Sequence, residues 1–221
     1  MSAESIISEV YERKVVVIVR RIYGDTLKSL AKALFDGGIR MMEVTFDQGD
    51  NDCIAKTGQS IAMLKALFKD EMRFGAGTVL TVEQVAAAQK AGGEFIISPN
   101  TNMEVIAETK RRGLVSIPGA MTPTEVISAH QNGADFVKLF PASVLGLDYF
   151  KSLIAPIDNV DFMATGGITK DNFADYLDAG YSSAGVGGYL ANRKLAEDGD
   201  FAELTRRAKE FCAIAASHGR K

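Results

Sequence analysis

The stretch LVSIPGAMTPTEVISAHQNGADFVKLFPA, residues 114–142, contains one complete strand–helix–strand unit. Two short apolar runs, LVSIPG and FVKLFP, flank a segment that opens with Thr122-Pro-Thr-Glu125 and closes at Gly133. A Thr followed three residues later by Glu is a capping box, and proline suits the first helical position. Glycine tolerates the left-handed backbone that ends many helices. We therefore predict a β-strand, an α-helix and a second β-strand here.

The same kind of unit occurs eight times along the chain. Apolar, often β-branched runs alternate with helix-period segments, and successive runs begin 19 to 32 residues apart. That spacing suits one strand, one helix and two loops. The runs begin near Val15, Met41, Arg73, Phe95, Leu114, Phe136, Asp161 and Ala184. Glycine precedes five of the later runs, at Gly37-Gly38, Gly92-Gly93, Gly113, Gly133 and Gly180, and Thr81-Val-Glu-Gln84 is a second capping-box pattern.

Eight βα units in 221 residues predict a parallel (β/α)8 barrel, the TIM barrel, formed by residues 1–221 as a single domain. A doubly wound open sheet is the competing fold. The segment from Ser5 to Arg13 is predicted to form an extra N-terminal helix that covers the bottom of the barrel.

Composition and charge exclude several classes of partner. The chain has 25 basic and 28 acidic residues, and neither sign runs in long blocks, so we expect no nucleic-acid and no membrane partner. The first residues contain no long apolar run, which favours a cytoplasmic protein. Cys53 and Cys212 are far apart, and His130 and His218 are the two histidines. We therefore expect neither a metal site nor a disulfide framework.

A lysine inside an apolar strand is the first sign of a functional site. Successive strand residues point in opposite directions, so Phe136, Lys138 and Phe140 share one face of FVKLFP. Both faces of a barrel strand are buried, so Lys138 is not simply on a wet side. For a single strand lysine, a structural ion pair or an extension to solvent is the ordinary explanation.

Three further polar residues favour a different interpretation. Glu43 lies within the apolar run MMEVTF, Arg20 ends VVVIVR, and Thr78 ends FGAGT. The carboxyl ends of barrel strands converge at the barrel mouth, where such enzymes place their chemistry. We therefore predict that these residues form one active site with Lys138.

This set of side chains suits carbonyl chemistry without a metal. A desolvated lysine near another cation has a lowered pKa, and its neutral amine can attack a carbonyl to form a Schiff base. Glu43 could carry protons, while the Arg20 guanidinium and the Thr78 hydroxyl could hold a carboxylate. The predicted substrate is a 2-oxo acid.

Two glycine pairs indicate a phosphate site. They lie in ATGGI, residues 164–168, and in GVGGY, residues 185–189, after the seventh and eighth strands. Barrels of this kind commonly bind phosphate there through backbone N–H groups. Glycines also serve tight turns, so one pair alone would not carry the prediction.

At this point the chain resembles a known family. The motifs GGIRMMEVTF, FGAGTVLT, FIISP, SIPGAMTPTE, FVKLFPA, ATGGI and AGVGGYL occur in the order typical of the 2-keto-3-deoxy-6-phosphogluconate aldolase and 4-hydroxy-2-oxoglutarate aldolase family. The resemblance spans about Val15 to Leu190. It implies a homotrimeric, cytoplasmic class I aldolase on a (β/α)8 barrel that needs no metal or other cofactor.

The resemblance also implies roles for individual residues. Lys138 would form the Schiff base and Glu43 would be the general acid and base. Pro99 and Phe140 would shape the pocket, while Arg20 and Thr78 would hold the pyruvyl carboxylate. The distal phosphate would be bound by Thr165, Gly166, Gly167, Gly187 and Gly188. The implied reaction cleaves 2-keto-3-deoxy-6-phosphogluconate to pyruvate and glyceraldehyde 3-phosphate in the Entner–Doudoroff pathway, and also 4-hydroxy-2-oxoglutarate to pyruvate and glyoxylate.

Two positions depart from the family pattern. Many members have EVT-Leu-Arg-Thr where this chain has EVT-Phe46-Asp47-Gln48, which replaces a basic residue with an acidic one. A carboxylate facing the pocket would disfavour an anionic substrate. The proline that usually precedes TGG is Ala164 here, a change that we expect to loosen the loop.

Three alternative functions remain open from the sequence. The first is an aldolase for a different 2-keto-3-deoxy sugar acid. The second is a sugar-phosphate isomerase or epimerase that forms no covalent intermediate and does not need Lys138. The third is a non-catalytic protein that senses a phosphorylated metabolite, although a buried Glu and Lys would then carry a desolvation cost without benefit.

Overall fold

The computed structural model describes residues 2–219, which form ten helices and nine strands. The helices are α1 (Ala3–Arg13), α2 (Gly24–Asp36), α3 (Cys53–Phe68), α4 (Val82–Lys90), α5 (Met103–Arg111), α6 (Pro123–Gln131), α7 (Ala142–Ile154), α8 (Phe173–Ala179), α9 (Arg193–Glu197) and α10 (Phe201–Ser217). The strands are β1 (Val15–Val19), β2 (Met41–Thr45), β3 (Arg73–Gly77), β4 (Phe95–Ile97), β5 (Val115–Ile117), β6 (Gly119–Ala120), β7 (Val137–Leu139), β8 (Phe162–Thr165) and β9 (Ser183–Val186).

The strands form one parallel sheet in the order β5-β4-β3-β2-β1-β9-β8-β7-β6. Its two outermost strands, β5 and β6, are separated in the chain only by Pro118, so they are two halves of one barrel strand. Proline has no N–H group to continue a ladder, which accounts for the break. β5 pairs with β4, and β6 pairs with β7. The nine strands therefore correspond to the eight predicted ones, with LVSIPG split in two.

Hydrogen bonds join the ends of the sheet into a barrel. The N–H of Phe136 donates to the carbonyl of Ser116 at 3.3 Å, and the N–H of Lys138 donates to that of Pro118 at 2.9 Å. The predicted (β/α)8 barrel is confirmed, and the competing open sheet is wrong.

Residues 2–219 form two hydrophobic cores, and the smaller one fills the lower interior of the barrel. Phe136 and Met163 lie in it, and Ile6 and Val10 of α1 close it from below. Val137 and Leu139, the neighbours of Lys138, belong instead to the larger core between the sheet and the outer helices. The predicted N-terminal helix is confirmed, with a start at Ala3 rather than Ser5.

One of the two predicted capping boxes is complete. The N–H of Glu125 donates to the Thr122 hydroxyl at 3.4 Å, and the N–H of Thr122 donates to the Glu125 carboxylate at 2.8 Å. At the start of α4 the Thr81 hydroxyl accepts from the N–H of Gln84, but the Gln84 side chain accepts from the N–H of Leu80 instead. No helix within residues 2–219 has the length and apolar composition to span a membrane.

Candidate active site

Lys138 and Glu43 occupy the middle of two barrel strands, β7 and β2, and both point into the barrel. The Glu43 side chain is fully buried, and Lys138 is 3% exposed. Lys138 shares its strand face with Phe136, which lies in the inner core just below it. Two ionisable groups are thus held inside the barrel, above its apolar floor.

The Glu43 carboxylate is buried without a hydrogen-bond partner among the described residues. Burial raises its pKa from 4.5 to about 7, although the positive charges of Lys138 and Arg20 act in the opposite direction. A carboxyl group with a pKa near neutrality can both accept and release a proton under physiological conditions. Glu43 therefore has the protonation behaviour of a general acid and base.

Lys138 has the complementary shift. Burial lowers the pKa of its ammonium group, the nearby Arg20 charge lowers it further, and Glu43 opposes both effects. The Nζ atom lies 5.0 Å from the centre of the Phe140 ring. A lysine with a lowered pKa is neutral for a larger fraction of the time, which is the form that attacks a carbonyl.

Arg20 and Thr78 meet at the mouth of the barrel, one residue beyond β1 and β3. An Nη1 hydrogen of Arg20 is donated to the Thr78 hydroxyl over 3.3 Å. Thr78 has φ of 55°, a left-handed conformation that is uncommon for a β-branched residue. A strained backbone conformation of this kind persists where neighbouring groups hold the residue in place.

Two glutamines hold the Thr78 segment, and sequence reasoning missed their contribution. The Gln48 side-chain amide donates to the Thr78 carbonyl at 2.7 Å, and the Gln84 amide donates to Gln48 at 3.1 Å. Gln84 also accepts from the N–H of Leu80 at 2.7 Å. No sequence spacing relates residues 48, 78 and 84, so only the packing of the strand ends brings them together.

Both glycine pairs line one cleft of about 480 Å³. We call it the glycine-loop cleft and define it by Gly166, Gly167, Gly187 and Gly188. Thr165, Arg20 and Phe140 also line it. The buried Thr165 hydroxyl has no hydrogen-bond partner within residues 2–219. Among those residues, no backbone carbonyl accepts a hydrogen bond from the N–H groups of the four glycines.

Phe140 and Pro99, the two residues expected to shape the pocket, lie in different places. Phe140, 38% exposed, lines the glycine-loop cleft. Pro99 follows β4 and lies against Gly119, where a Cβ atom would be 2.4 Å from the Pro99 carbonyl oxygen. Pro99 is therefore in contact with the strand next to Lys138, but it does not line this cleft.

The glycine-loop cleft contains further residues that sequence reasoning missed. Tyr189, Asn192 and Arg207 all line it. Arg207 lies in α10, the last helix of the chain. A contact between α10 and a loop almost 20 residues earlier depends on the way the last helix packs, which local pattern does not reveal.

Asp47, which replaces the usual basic residue, is neutralised by its neighbour. The Arg21 guanidinium contacts both carboxylate oxygens, from Nε at 2.8 Å and from Nη2 at 2.9 Å. This contact lowers the pKa of Asp47. Asp47 lies in a pocket with Arg20 and Thr78, but as half of an ion pair rather than as a lone negative charge. Ala164, the other departure, is fully buried in β8.

Comparison with known proteins shows the family of the chain. The family model described as KDPG and KHG aldolase matches residues 6–207. The chain is 38% identical over 186 residues to the 2-dehydro-3-deoxy-phosphogluconate aldolase of Treponema pallidum (strain Nichols), which covers 84% of this chain and 85% of that protein. It is 34% identical over 176 residues to the 2-dehydro-3-deoxy-6-phosphogalactonate aldolase of Escherichia coli (strain K12), with 79% and 83% covered.

A solved structure of a KDPG aldolase is also similar to this chain. The KDPG aldolase of Legionella pneumophila, with pyruvate captured at low pH as a covalent carbinolamine intermediate, superposes with a TM-score of 0.79 at 25% identity, over 96% of this chain and 98% of that one. The family model matches well over half of the chain, and two relatives exceed 30% identity over more than two thirds of it. The chain therefore belongs to the KDPG and KHG aldolase family and is an aldolase, a carbon–carbon lyase.

Proposed function

We propose that the protein is a class I aldolase in which Lys138 forms a Schiff base with the C2 carbonyl of a 2-oxo acid. The observation that carries this proposal is the burial of Lys138 with Glu43, two ionisable groups whose pKa values are both shifted toward neutrality. The Legionella relative supports it, because that protein was captured with pyruvate as a covalent carbinolamine.

In the proposed reaction, the neutral Nζ of Lys138 forms a bond to C2 while Glu43 protonates the carbonyl oxygen. The positively charged nitrogen of this adduct returns a proton to Glu43, which then protonates the hydroxyl group, so that the carbinolamine loses water and gives an iminium ion. The iminium withdraws electrons from the C3–C4 bond as the ionised Glu43 takes the proton of the C4 hydroxyl. The aldehyde leaves and an enamine remains on Lys138. Protonation at C3 and addition of water then release pyruvate and the free amine.

The proposed substrate is 2-keto-3-deoxy-6-phosphogluconate, cleaved to pyruvate and glyceraldehyde 3-phosphate. Two anionic ends of the substrate have matching groups in the site. Arg20 and Thr78 suit the carboxylate, and the glycine-loop cleft suits the phosphate. The Treponema relative, named for the phosphogluconate acid, supports this choice.

A second candidate substrate is the C4 epimer, 2-keto-3-deoxy-6-phosphogalactonate. The observation in its favour is the 34% identity to the Escherichia coli enzyme named for it. Cleavage of 4-hydroxy-2-oxoglutarate to pyruvate and glyoxylate is a further activity proposed from the family. That acid carries a second carboxylate and no phosphate.

The substrate proposal is tested by measuring pyruvate release from all three acids with a coupled lactate dehydrogenase assay. We expect kcat/KM for 2-keto-3-deoxy-6-phosphogluconate to exceed that for the galactonate epimer and, by a larger factor, that for 4-hydroxy-2-oxoglutarate. A higher kcat/KM for the epimer would replace the first substrate with the second. Equal values for phosphorylated and non-phosphorylated acids would overturn the role given to the glycine-loop cleft.

Four other expectations remain predictions. They are the single domain formed by residues 1–221, the homotrimer, the cytoplasmic location and the place in the Entner–Doudoroff pathway. The homotrimer follows from the family resemblance, and light scattering at several protein concentrations tests it. A mass of one or two chains would contradict it.

A further inference from the structure

We propose that Arg207, on α10, supplies the positive charge that pairs with the substrate phosphate in the glycine-loop cleft. Arg207 would thereby set the preference of the enzyme for phosphorylated over non-phosphorylated 2-oxo acids. This inference rests on the proposed function, because it assigns a role at one end of the same substrate.

The charged residues that line the glycine-loop cleft indicate Arg207 as the partner of the phosphate. Among the described residues that line it, only Arg20 and Arg207 are charged. Arg20 bonds to Thr78 at the carboxylate end of the proposed substrate. The glycine loops offer N–H dipoles but no full charge, whereas a phosphate monoester carries close to two negative charges at neutral pH. Arg207 is therefore the cation available to the phosphate end.

The Arg207 guanidinium is held in place before any ligand arrives. Its Nη1 donates to the Tyr189 carbonyl at 3.0 Å, and its central carbon lies 4.7 Å from the centre of the Tyr189 ring. Its Nε donates to a carboxylate oxygen of Glu203 at 2.8 Å. These contacts fix the planar group beside the loop that contains Gly187 and Gly188, so little side-chain entropy is left to lose on binding.

The Arg207 guanidinium still has N–H groups that can bind an anion. It has five N–H groups. Among residues 2–219, the Tyr189 carbonyl accepts a hydrogen bond from one of them and the Glu203 carboxylate from another. The Glu203 carboxylate also accepts from Arg206, at 2.6 and 2.7 Å, and Arg206 has a second carboxylate partner in Glu210 at 2.8 Å. Two arginines thus face two carboxylates, and what Arg207 offers an anion is its remaining N–H groups at the edge of the cleft. A phosphate in the cleft would meet a positive charge with N–H donors in a planar fork.

A structural role for Arg207 predicts a different outcome. If Arg207 served only to hold the Tyr189 carbonyl, Arg207→Gln, which keeps a donor for that carbonyl, would retain the wild-type preference for phosphorylated substrates. If it neutralises phosphate, its loss would weaken binding of phosphorylated ligands alone. The ratio of two specificity constants therefore separates the roles.

The experiment compares Arg207→Gln, Arg207→Met and Arg207→Lys with the wild-type protein. Gln can still donate to the Tyr189 carbonyl, Met keeps the apolar stem, and Lys keeps the charge. The matched control is Arg111→Met, which removes an exposed helix arginine that pairs with Glu108 on α5 and does not line the cleft. Each protein is assayed with 2-keto-3-deoxy-6-phosphogluconate and with the non-phosphorylated 2-keto-3-deoxygluconate.

We expect Arg207→Gln and Arg207→Met to reduce kcat/KM for the phosphorylated acid by roughly 10- to 100-fold, the size of one charge-assisted hydrogen-bonding group. Most of the change should be in KM, and the value for the non-phosphorylated acid should stay within about twofold. Arg207→Lys should retain most of the preference, and Arg111→Met should keep all of it. Calorimetric titration with inorganic phosphate should show weaker binding to the Gln variant than to the wild type.

An equal loss on both substrates, or no loss on either, would overturn the assignment of Arg207. Thermal unfolding of each variant separates a folding defect from a binding defect, and Arg207→Lys carries the test if the neutral variants do not fold. Failure of the proposed function would look different. In that case wild-type Lys138 would not form a pyruvate adduct, while phosphate titration would still report on Arg207.

Discussion

The Glu43 carboxylate occupies the space that a side chain at Gly77 would need. A Cβ atom on Gly77 would lie 2.3 Å from the Oε1 atom of Glu43 and 2.5 Å from its carboxyl carbon. The two residues are on the neighbouring strands β2 and β3, which pair in parallel. Gly77 has no functional group, yet its lack of a side chain is what allows Glu43 to lie within the barrel.

Replacement of Gly77 by alanine should displace Glu43. We expect Gly77→Ala to lower kcat by at least about tenfold and to destabilise the fold by roughly 1–3 kcal/mol, as overpacking of a buried site does. Steady-state assay of pyruvate release and urea unfolding measure the two effects. Gly58→Ala, in α3, is the control, because a Cβ atom there meets nothing within 4 Å. A Gly77→Ala protein with wild-type activity would contradict this steric account.

The carboxyl group of Glu43 should matter more for turnover than for substrate binding. We expect Glu43→Gln to lower kcat by roughly 10²- to 10⁴-fold, the usual size of a general acid–base contribution, with a smaller change in KM. Glutamine has nearly the same shape but cannot exchange a proton at neutral pH. Unchanged kcat in the Gln variant would remove Glu43 from the proton-transfer steps.

Glu43 should also make stability depend on pH. Burial raises its pKa from 4.5 to about 7, so between these values the folded protein holds a proton that the unfolded chain has released. The stabilisation linked to this proton is complete below pH 4.5 and is lost as the pH rises through 7. We expect the free energy of unfolding of the wild type to fall by roughly 2–3 kcal/mol relative to Glu43→Gln between about pH 5 and pH 8. Urea unfolding at both pH values tests this, and parallel curves for the two proteins would contradict it.

Much of the barrel could be predicted because its signals are local. Strand alternation placed Lys138 and Phe136 on the inner face, and the Thr122 to Glu125 capping box marked the start of α6. The division of one strand at Pro118 was not predicted, because the apolar run LVSIPG indicates a single strand, although proline has no N–H group to continue a ladder. The glycines expected at five helix ends include Gly133, whose φ of 91° only glycine adopts easily.

The site was predictable only in part, for a physical reason. Residues inside apolar strands, such as Glu43, attract notice because burial of a charge is costly. Gln48, Gln84 and Arg207 are polar residues in polar segments, where nothing in the sequence distinguishes them. Their contacts link parts of the chain that only the closed barrel brings together. The Arg21 partner of Asp47 escaped notice for the same reason, since the two residues are 26 positions apart.

The ion pair between Arg21 and Asp47 should protect the site from a negative charge. We expect Arg21→Met to raise KM for the phosphorylated acid by roughly two- to fivefold, because Asp47 would then repel an anion near Arg20. The double variant Arg21→Met, Asp47→Asn should return KM to near the wild-type value. The increase in the single variant should shrink at high salt, which screens exposed charges. A double variant as impaired as the single one would show that Arg21 acts on the substrate directly.

The most direct test of the account is borohydride trapping with pyruvate, followed by intact mass measurement and peptide mapping. The account predicts one reduced N-carboxyethyl adduct, on Lys138, that is absent in Lys138→Ala and present in Lys151→Ala, which removes an exposed lysine. Circular dichroism establishes that each variant is folded. A folded wild-type protein without an adduct, or with an adduct on another lysine, would contradict the assignment of Lys138 as the Schiff-base residue.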